Sequence, residues 1–510
     1  MAMISPKISE SLSEYLILTG WIKCKPEQVS LRTSLGPISL EYPYMTARMQ
    51  SVVYPEMAVA AGRNGILTMI PRSLRDEDKQ RIIDVNNKAR LKKGDIEFQE
   101  NPEHALPGTT LDDVVKQVNR VGHSVIPIMD RFSTLRGVYI HNPDSPPSVP
   151  PYTPITEVMI PLRGKSRGGI PFLINSKDER EIKKILVNEE KKVLPIVNQK
   201  MVLQRIAFLQ KHDTNFIGLA VSTREGWKKE IDRFGSQVDT LTIDSSNACF
   251  DEALRILKYM KESREFRFKP FGIGNIIQAQ DFRIFADAGV DYLIAGMGVG
   301  SICKTGSERG NGRGQMTVLT ELANEREIYA TKSSGRYVPF VLDGGIETVR
   351  EMTVALAFAD LIMMGNYFNR FYEAAGQKLD GNNNPTSIED LIKSVETWGE
   401  GHPRARLVAI YGLNFSEAIA ANADFGKQKA SERYGHSTLS GSTVEGVVGK
   451  VGYKGRLKPN VERDARYIKT TISNAGASDL ETFRKLAVIE KASQQTLRDM
   501  LPHDIEVIED

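Results

Sequence analysis

Cys303 is the residue of this sequence whose surroundings best suit nucleophilic chemistry. The turn before it, 296–301, is rich in glycine, and the basic residues Arg309 and Arg313 follow it closely. A flexible, electropositive loop favours the thiolate, which is the nucleophilic form of cysteine. We therefore predict that Cys303 forms a covalent bond to a substrate.

The other two cysteines lack such surroundings. We interpret Cys24, between two lysines, as a surface thiol, and Cys249, next to Phe250, as a small buried apolar side chain. Three widely spaced cysteines indicate neither a disulfide framework nor a zinc site, so we expect a cytoplasmic protein.

Small, polar or glycine-rich turns follow the predicted strands of the second half of the chain. These turns are Asp244-Ser245-Ser246, Gly274-Asn275, 296–303, Asp343-Gly344-Gly345 and Gly365-Asn366. In a parallel barrel, turns of this kind all open on the C-terminal face, which is where such barrels carry their active sites. A single glycine-rich turn is weak evidence, but their convergence predicts a ligand site at that face.

The turn at Asp343 has the composition of a nucleotide site. Gly344, Gly345 and Gly365 lack a Cβ atom, so a phosphate can approach their backbone N–H groups. Asp343 can accept hydrogen bonds from both hydroxyls of a ribose. The alternative is that Asp343 caps the next helix, and we favour the ligand role because two glycines adjoin it.

The elements that must position these turns alternate along the chain. Short, continuous apolar runs are separated by amphipathic helical stretches, and such runs are typical of strands buried on both faces of a parallel sheet. The predicted strands are Phe216–Val221, Thr240–Ile243, Phe271–Ile273, Tyr292–Ala295, Val338–Leu342 and Leu361–Met364. Before residue 91 the pattern predicts one strand, Gly65–Ile70, and a helix starting at Pro55. Repeated strand–helix units favour an α/β fold of the TIM (β/α)₈ barrel class.

Residues 92–212 differ from their surroundings and predict an inserted module of two repeats. Each repeat has a helix followed by a strand that contains proline. The pairs are Leu111–Val121 with Ser124–Met129, and Glu179–Asn188 with Val193–Val197; a proline-rich linker, Pro143–Pro154, lies between them. The predicted organisation is therefore barrel over 1–91, insertion over 92–212 and barrel over 213–510, with an active-site flap at about 380–450.

Composition excludes some partners. The 67 basic and 64 acidic residues leave a net charge of +3, which provides no long-range field suited to a nucleic acid or an anionic membrane. The first residues lack the apolar run of a signal peptide, and no run has the length of a membrane span, so neither is expected.

The motifs resemble those of the inosine-monophosphate dehydrogenase and guanosine-monophosphate reductase family. Gly298-Val-Gly-Ser-Ile-Cys-Lys-Thr305, with 312–315 downstream, is similar to the family's catalytic cysteine loop. Val341-Leu-Asp-Gly-Gly345 and Met363-Met-Gly365 resemble its ribose and phosphate turns. The module 92–212 resembles the paired cystathionine-synthase-type (CBS) repeats that are inserted in this barrel. The resemblance extends over nearly the whole chain.

Three features resemble the dehydrogenase branch in particular. Arg433–Tyr434 is similar to the Arg-Tyr pair of its flap, Glu445 begins a segment like the one after that flap, and 501–505 resembles its C-terminal run. From spacing alone, a solvated loop pair is an equally good interpretation of Arg433–Tyr434.

The resemblance implies a reaction in two stages. The Cys303 thiolate adds to C2 of inosine monophosphate (IMP), a hydride passes to NAD⁺, and water then hydrolyses the covalent thioimidate to xanthosine monophosphate (XMP). Covalent catalysis divides one difficult oxidation into two easier steps. The resemblance also implies a monovalent cation such as K⁺, a homotetramer or octamer, and adenine or guanine nucleotides at the repeats.

The resemblance assigns roles as follows. The catalytic residues are Cys303, Thr305, Arg433 and Tyr434. The substrate-binding residues are Ser301, Asp343, Gly344, Gly345, Gly365, Asn366, Tyr411 and Glu445. The residues for the dinucleotide are Asp244, Ser245, Ser246, Asn275, Gly296 and Gly298, and the carbonyls of Gly298, Gly300 and Cys303 would hold the cation.

The sequence departs from the family pattern near these residues. Val299 and Asn366 stand where the family has serines, and Ile294 stands where it has an arginine. The Ser-Pro-Met-Asp motif reads Ala47-Arg48-Met49-Gln50, and the polar segment 380–401 looks inserted. Two alternatives therefore stay open: a reductase acting on guanosine monophosphate (GMP) with NADPH, and a catalytically inactive barrel that binds nucleotides as a regulator.

Overall fold

The structure, a computed structural model, describes residues 8–100, 102–121, 124–142, 146–163, 169–188, 193–210, 212–303, 305–333, 335–413 and 446–502. The chain divides into two compact units. The first comprises 1–88, 215–453 and 464–510, and the second comprises 89–214 with 454–463. No helix among the described residues is long and apolar enough to cross a membrane.

The first unit contains eight parallel strands in a closed cycle. They are β1 Tyr44–Thr46, β2 Thr68–Ile70, β3 Ile217–Ser222, β4 Thr240–Asp244, β5 Phe271–Ile276, β6 Tyr292–Ala295, β7 Phe340–Asp343 and β8 Leu361–Met364. Strand β8 pairs with β1, and β1 meets β2 where the Thr46 N–H donates to the Leu67 carbonyl over 3.0 Å. The predicted (β/α)₈ barrel is thereby confirmed.

Helices follow the strands in turn. They are α1 Pro55–Arg63, α2 Asp76–Ala89, α3 Trp227–Phe234, α4 Asp251–Glu262, α5 Ala279–Asp287, α6 Gln315–Ile328, α7 Val349–Leu356 and α8 Leu457–Asn474. Two short helices, Thr305–Arg309 and Asn366–Asn369, come directly after the glycine-rich turns that end β6 and β8. A further helix, Pro403–Tyr411, follows the segment 380–401. Helices Leu480–Leu486 and Gln494–Asp499 follow α8.

The barrel interior explains why these strands are apolar along their whole length. Every residue of β6 is buried, and its Tyr292 ring occupies the space beside Gly272, where a Cβ atom would lie 2.3 Å from the ring. The Tyr292 hydroxyl is hydrogen-bonded to that of Thr240 at 2.8 Å. Large and small residues therefore alternate between neighbouring strands, as close packing requires.

Smaller sheets surround the barrel. Tyr15–Leu18 pairs antiparallel with Val488–Lys491, and Thr33–Leu35 forms a hairpin with Ile38–Leu40. Strand Ser394–Trp398 lies between Lys378–Leu379 and Val448–Gly452 in a third antiparallel sheet. The apparently inserted segment 380–401 thus ends in a central strand that leads directly to the face carrying the active-site turns.

The second unit is built from two similar halves. In each half a helix, Leu111–Val121 or Glu179–Asn188, precedes an antiparallel hairpin; the hairpins are Val125–Met129 with Leu135–Ile140, and Val193–Val197 with Leu203–Leu209. Strand Ile96–Glu100 extends the second hairpin, whose other side pairs with Leu173–Ile174, and Ile160–Pro161 extends the first.

The two hairpins turn in the same way. Asp130 and Asn198 each accept, through a side-chain oxygen, the backbone N–H two and four residues later, and each turn has a positive φ, at Ser133 and Met201. A bulge precedes each turn. The shared geometry supports a common origin of the two halves.

Candidate active site

A cavity of about 390 Å³ opens where the barrel strands end. The predicted residues that line it are Ser246, Asn275, Gly296, Gly298, Gly300, Ser301, Cys303, Asp343, Gly344, Gly345, Gly365 and Asn366. They come from the turns after β4, β5, β6, β7 and β8. The structure therefore brings together the residues that the turn pattern singled out.

Some predicted residues lie elsewhere. Asp244 and Ser245 are not among the residues that line the cavity, and the Ser245 hydroxyl donates to the Asn247 carbonyl over 2.7 Å. Tyr411 ends its helix in the wall of a separate cavity, of about 1280 Å³. Thr305 begins a short helix after the cysteine loop. Arg433, Tyr434 and Glu445 lie outside the described residues.

The cysteine loop is held by backbone contacts on both sides. The Cys303 N–H donates to the Gly300 carbonyl over 2.9 Å, and the backbone of Cys303 forms an isolated antiparallel β-bridge with that of Gly446. Gly296 has a φ of 125°, and a Cβ atom there would lie 2.5 Å from the Asp343 carbonyl oxygen. Glycine is therefore required at 296 for the loop to pass the end of β7, and Cys303 stays exposed to the cavity.

Asp343 does not cap the next helix, because the N-cap of α7 is Thr348. Its Oδ2 atom instead accepts hydrogen bonds from Asn275 Nδ2 and Arg48 Nη2, both at 2.9 Å. Among the described residues no hydrogen bond to Oδ1 is formed, so this oxygen can accept from a ligand hydroxyl. The Gln315 amide donates to the Asp343 and Gly344 carbonyls and so fixes the turn.

Asn366 carries a second indication of a ligand. Its side-chain Oδ1 atom is buried without a hydrogen-bond partner among the described residues. Buried polar atoms without partners are exceptional, and those that occur point to a missing ligand, water or strain. Because Asn366 lies directly after Gly365 on the cavity wall, its amide is suited to a polar group of the ligand.

Arg48, which lies directly behind the site, is one residue that sequence reasoning missed. Its side chain is only 7% exposed and forms ion pairs with Asp244 at 2.7 Å and with Asp343 at 2.9 Å. It also donates to Asn275 Oδ1 over 2.7 Å. Burial lowers the pKa of Arg48, but the charges of Asp244 and Asp343 raise it by more than burial lowers it. The pKa of Arg48 is therefore above its usual value.

The position of Arg48 gives one departure from the family pattern a structural role. The guanidinium near Asp343 comes from the motif after β1 that reads Ala47-Arg48-Met49-Gln50. Ile294 is buried in the barrel interior. Asp244 has both oxygens engaged, one by Arg48 and the other by Arg72 at 3.0 Å, which keeps it from presenting a free carboxylate to a dinucleotide.

Replacing Arg48 with methionine is expected to lower the free energy of unfolding by about 1.5–3 kcal/mol, because the partly buried Asp244 and Asp343 lose a charged hydrogen-bond donor. Asp244 keeps its ion pair with Arg72, and Asp343 keeps its hydrogen bond from Asn275. Urea denaturation of the purified variant measures this loss. The matched control is Arg32→Met, which removes the more exposed pair with Glu41 and should cost less than about 1 kcal/mol. Equal stabilities of the two variants would contradict the role of Arg48.

The other cysteines show one error of the sequence interpretation. Cys249 is exposed rather than buried, because it lies in the turn before α4 instead of on the apolar face of that helix. Burial of its thiol group and the neighbouring Asp281 raise the pKa of Cys249 to about 12. Cys24 is half-buried and donates to the Ala477 carbonyl. The surroundings of Cys249 therefore do not favour a thiolate.

Known proteins are similar to this sequence along nearly its whole length. A model of the IMP dehydrogenase / GMP reductase domain matches residues 10–397 and 404–503. The inosine-5'-monophosphate dehydrogenase of Tritrichomonas foetus is 30% identical, over 97% of this chain and 96% of that protein. The GMP reductase of Leishmania donovani is 24% identical, over 92% of this chain and 91% of that protein.

The fold has solved counterparts as well. A crystal structure of a GMP reductase from Trypanosoma brucei in complex with guanosine 5'-monophosphate matches with a TM-score of 0.64 at 20% identity. The match covers 98% of this chain and 99% of that chain. With the domain model matched along almost the entire sequence, the chain belongs to the IMP dehydrogenase / GMP reductase family of oxidoreductases.

Proposed function

We propose that the protein oxidises IMP to XMP with NAD⁺ through a covalent intermediate on Cys303. The observation that carries this proposal is the single cavity that joins an exposed cysteine to Asp343, the glycine turns and Asn366. The same cavity therefore contains a nucleophile, a carboxylate that can accept hydrogen bonds from ribose hydroxyls, and backbone N–H groups that can bind a phosphate. The dehydrogenase names among the curated relatives favour IMP as the substrate.

Different residues of the cavity would bind the ribose, the phosphate and the base of the nucleotide. Asp343 Oδ1 accepts ribose hydroxyls, while the backbone N–H groups of Gly345, Gly365 and Asn366 would hold the phosphate. The Gly344 N–H already donates to the Met363 carbonyl over 3.2 Å, so Gly344 would contribute only space for the ligand. The Cys303 thiolate adds to C2 of the purine, and the covalent bond keeps the base in place until water releases XMP. Arg433, with Tyr434 and Thr305, would activate that water, and Glu445 would bind the edge of the base.

NAD⁺, when bound, accepts the hydride. Ser246, Gly296 and Gly298 lie in the cavity wall and fit this role, and Arg224 on the same wall adds a positive charge suited to a diphosphate. Asp244, Ser245 and Asn275 fit less well, because their side chains are bonded within the protein. A small set of cavity residues would therefore hold the dinucleotide.

A monovalent cation would be held by the carbonyls of Gly298, Gly300 and Cys303. Oxygen ligands suit a hard cation, and the Gly300 carbonyl, which accepts the Cys303 N–H, keeps a second lone pair. Within the described residues no cluster of His, Cys, Asp or Glu side chains suits a metal ion. The role of the cation would be to order the cysteine loop.

Reduction of GMP with NADPH is the second candidate, favoured by the GMP reductase relative and by the fold match to a GMP reductase. The deciding experiment incubates the protein with each nucleotide and each dinucleotide and follows the absorbance of the reduced nicotinamide. We expect NADH formation from IMP and NAD⁺. NADPH consumption with GMP alone would assign the reductase instead, and no reaction with either would favour an inactive regulator.

The second unit is proposed to be a pair of CBS repeats that bind adenine or guanine nucleotides. Four basic residues of this unit, His123, Arg136, Lys165 and Arg167, are candidates for binding the nucleotide phosphates. Arg136 donates to Asp130 over 2.9 Å, and the other three lie outside the described residues. A packing role is an equal alternative. We also propose a cytoplasmic homotetramer, or an octamer formed through the repeats, as the sequence resemblance implies.

Deleting 92–212 is expected to leave turnover intact and to abolish any response to adenine or guanine nucleotides, because the described residues that line the active-site cavity all belong to the first unit. Steady-state rates with and without each nucleotide test this prediction. A folded deletion variant that is inactive would show that the insertion takes part in catalysis.

A further inference from the structure

Glu400 is an acidic residue of the cavity wall that the reaction above leaves without a role. It follows the strand Ser394–Trp398 directly. Its Oε1 atom accepts the Gln50 backbone N–H over 2.7 Å, and its Oε2 atom accepts a hydrogen bond from the Ser73 hydroxyl. The loops after β1 and β2 therefore hold the carboxyl group in one position.

Backbone contacts place Glu400 beside the cysteine loop. The N–H of the preceding Gly399 donates to the Val447 carbonyl over 3.0 Å, and the Val447 N–H donates to the Ile302 carbonyl over 3.3 Å. Residue 447 thus joins the segment that carries Glu400 to the residue before Cys303. Both side chains face the same cavity.

Burial of Glu400 brings the titration of its carboxyl group close to neutral pH. Burial raises the pKa of the Glu400 carboxyl to about 7, while the Ser73 and Gln50 hydrogen bonds and the Arg72 charge oppose the rise. The Asp244 charge adds to it. A carboxyl group that titrates near the working pH is suited to general base catalysis.

We propose that Glu400 receives the proton released when water hydrolyses the covalent Cys303 intermediate, an inference that rests on the dehydrogenase reaction proposed above. The water oxygen bonds to C2, and one water proton passes to a Glu400 oxygen. The C2–Sγ bond then breaks, and its electron pair returns to Cys303 as a thiolate. The hydroxyl proton on C2 moves to a ring nitrogen, which yields XMP.

This assignment supplies what the proposed flap residue lacks. A guanidinium is permanently protonated under ordinary conditions, so it needs a second group to accept the proton. Each Glu400 oxygen has a lone pair beyond the one used by Gln50 or Ser73, and can accept from water without losing its present contacts. Arg433 would orient and activate the water, and Glu400 would hold its proton.

The test separates hydride transfer from hydrolysis. Enzyme, IMP and NAD⁺ are mixed, the NADH burst is followed by absorbance, and XMP is measured by rapid quench at pH values from about 5 to 9. In the parent, the hydrolysis rate should rise with pH through the pKa of about 7 and then level off, since the ionised carboxylate is the acceptor.

Glu400→Gln should keep the NADH burst, slow hydrolysis on the order of a hundredfold, and remove the pH inflection. Ser73→Ala should move the inflection to higher pH, because the Ser73 hydrogen bond lowers the Glu400 pKa. The matched control, Glu396→Gln, makes the same change in a side chain that pairs with Arg404 and does not line the cavity, and should behave as the parent.

The outcomes are distinct. Unchanged hydrolysis and an unchanged inflection in Glu400→Gln, or loss of its NADH burst, would overturn this inference while leaving the dehydrogenase in place. Absence of NADH from the parent would overturn the proposed function and this inference with it. The thermal midpoint of Glu400→Gln near pH 8 should not fall below that of the parent, since a neutral amide replaces a buried ionised carboxylate there.

Discussion

Replacing Cys303 with serine is expected to abolish turnover while nucleotide binding stays nearly unchanged. A serine hydroxyl is a far weaker nucleophile than a thiolate at neutral pH. The loop geometry depends on the backbone contacts of residue 303 and on the glycine at 296, which the substitution leaves in place. Steady-state assays with IMP and NAD⁺ measure turnover, and titration calorimetry with IMP measures binding.

Cys249→Ser is the matched control for this prediction. It makes the same chemical change at a second exposed cysteine, which lies outside the residues that line the cavity. We expect parental activity for that variant. Turnover by Cys303→Ser at a rate close to that of the parent would exclude the covalent mechanism, whichever nucleotide is the substrate.

Replacing Arg433 with alanine is expected to leave an NADH burst close to stoichiometric with active sites, followed by turnover slowed on the order of a hundredfold or more. Hydride transfer depends on Cys303 and the bound dinucleotide, whereas hydrolysis of the thioimidate is the step that needs activated water. Stopped-flow absorbance resolves the burst from the slow phase.

The same substitution separates the two enzyme candidates. A reductase hydrolyses no such intermediate, so Arg433→Ala would there cause no burst and only a modest loss of rate. Lys429→Ala, which removes another positive charge from the same stretch of sequence, should leave both phases unchanged. A variant that loses its burst together with its turnover would contradict the assignment of Arg433 to hydrolysis.

Sequence reasoning worked best where chemistry and structure are local. Strands β6 and β8 begin and end as predicted, because each is a continuous apolar run closed by a turn. Strand β1 was missed because its three residues are too few to show a pattern. Its pairing with segments near 67 and 362 is visible only in the folded structure. Strand β5 continues to Ile276, beyond the predicted end at Ile273, and its added part contains the polar Asn275, which lines the cavity.

The residues of the candidate site also fall into those that sequence reasoning found and those that it missed. The cysteine loop and the Asp343 turn were predicted from their own residues, because a nucleophile among glycines and a carboxylate beside glycines have chemical meaning without a partner. The catalytic and binding roles of Thr305, Arg433, Tyr434 and Glu445 stay predictions, and the last three residues lie outside the described part of the chain.

The tertiary structure alone decided what Arg48 and Glu400 do. Arg48 appeared in the sequence only as a departure from a motif, and Glu400 only as part of a polar segment. Closure of the barrel places Arg48 between the carboxylates that end β4 and β7, and brings Glu400 against Gln50 and Ser73. Ion pairing and desolvation depend on distance in space, so the charge state and role of a buried side chain follow from neighbours that are hundreds of residues away in the chain.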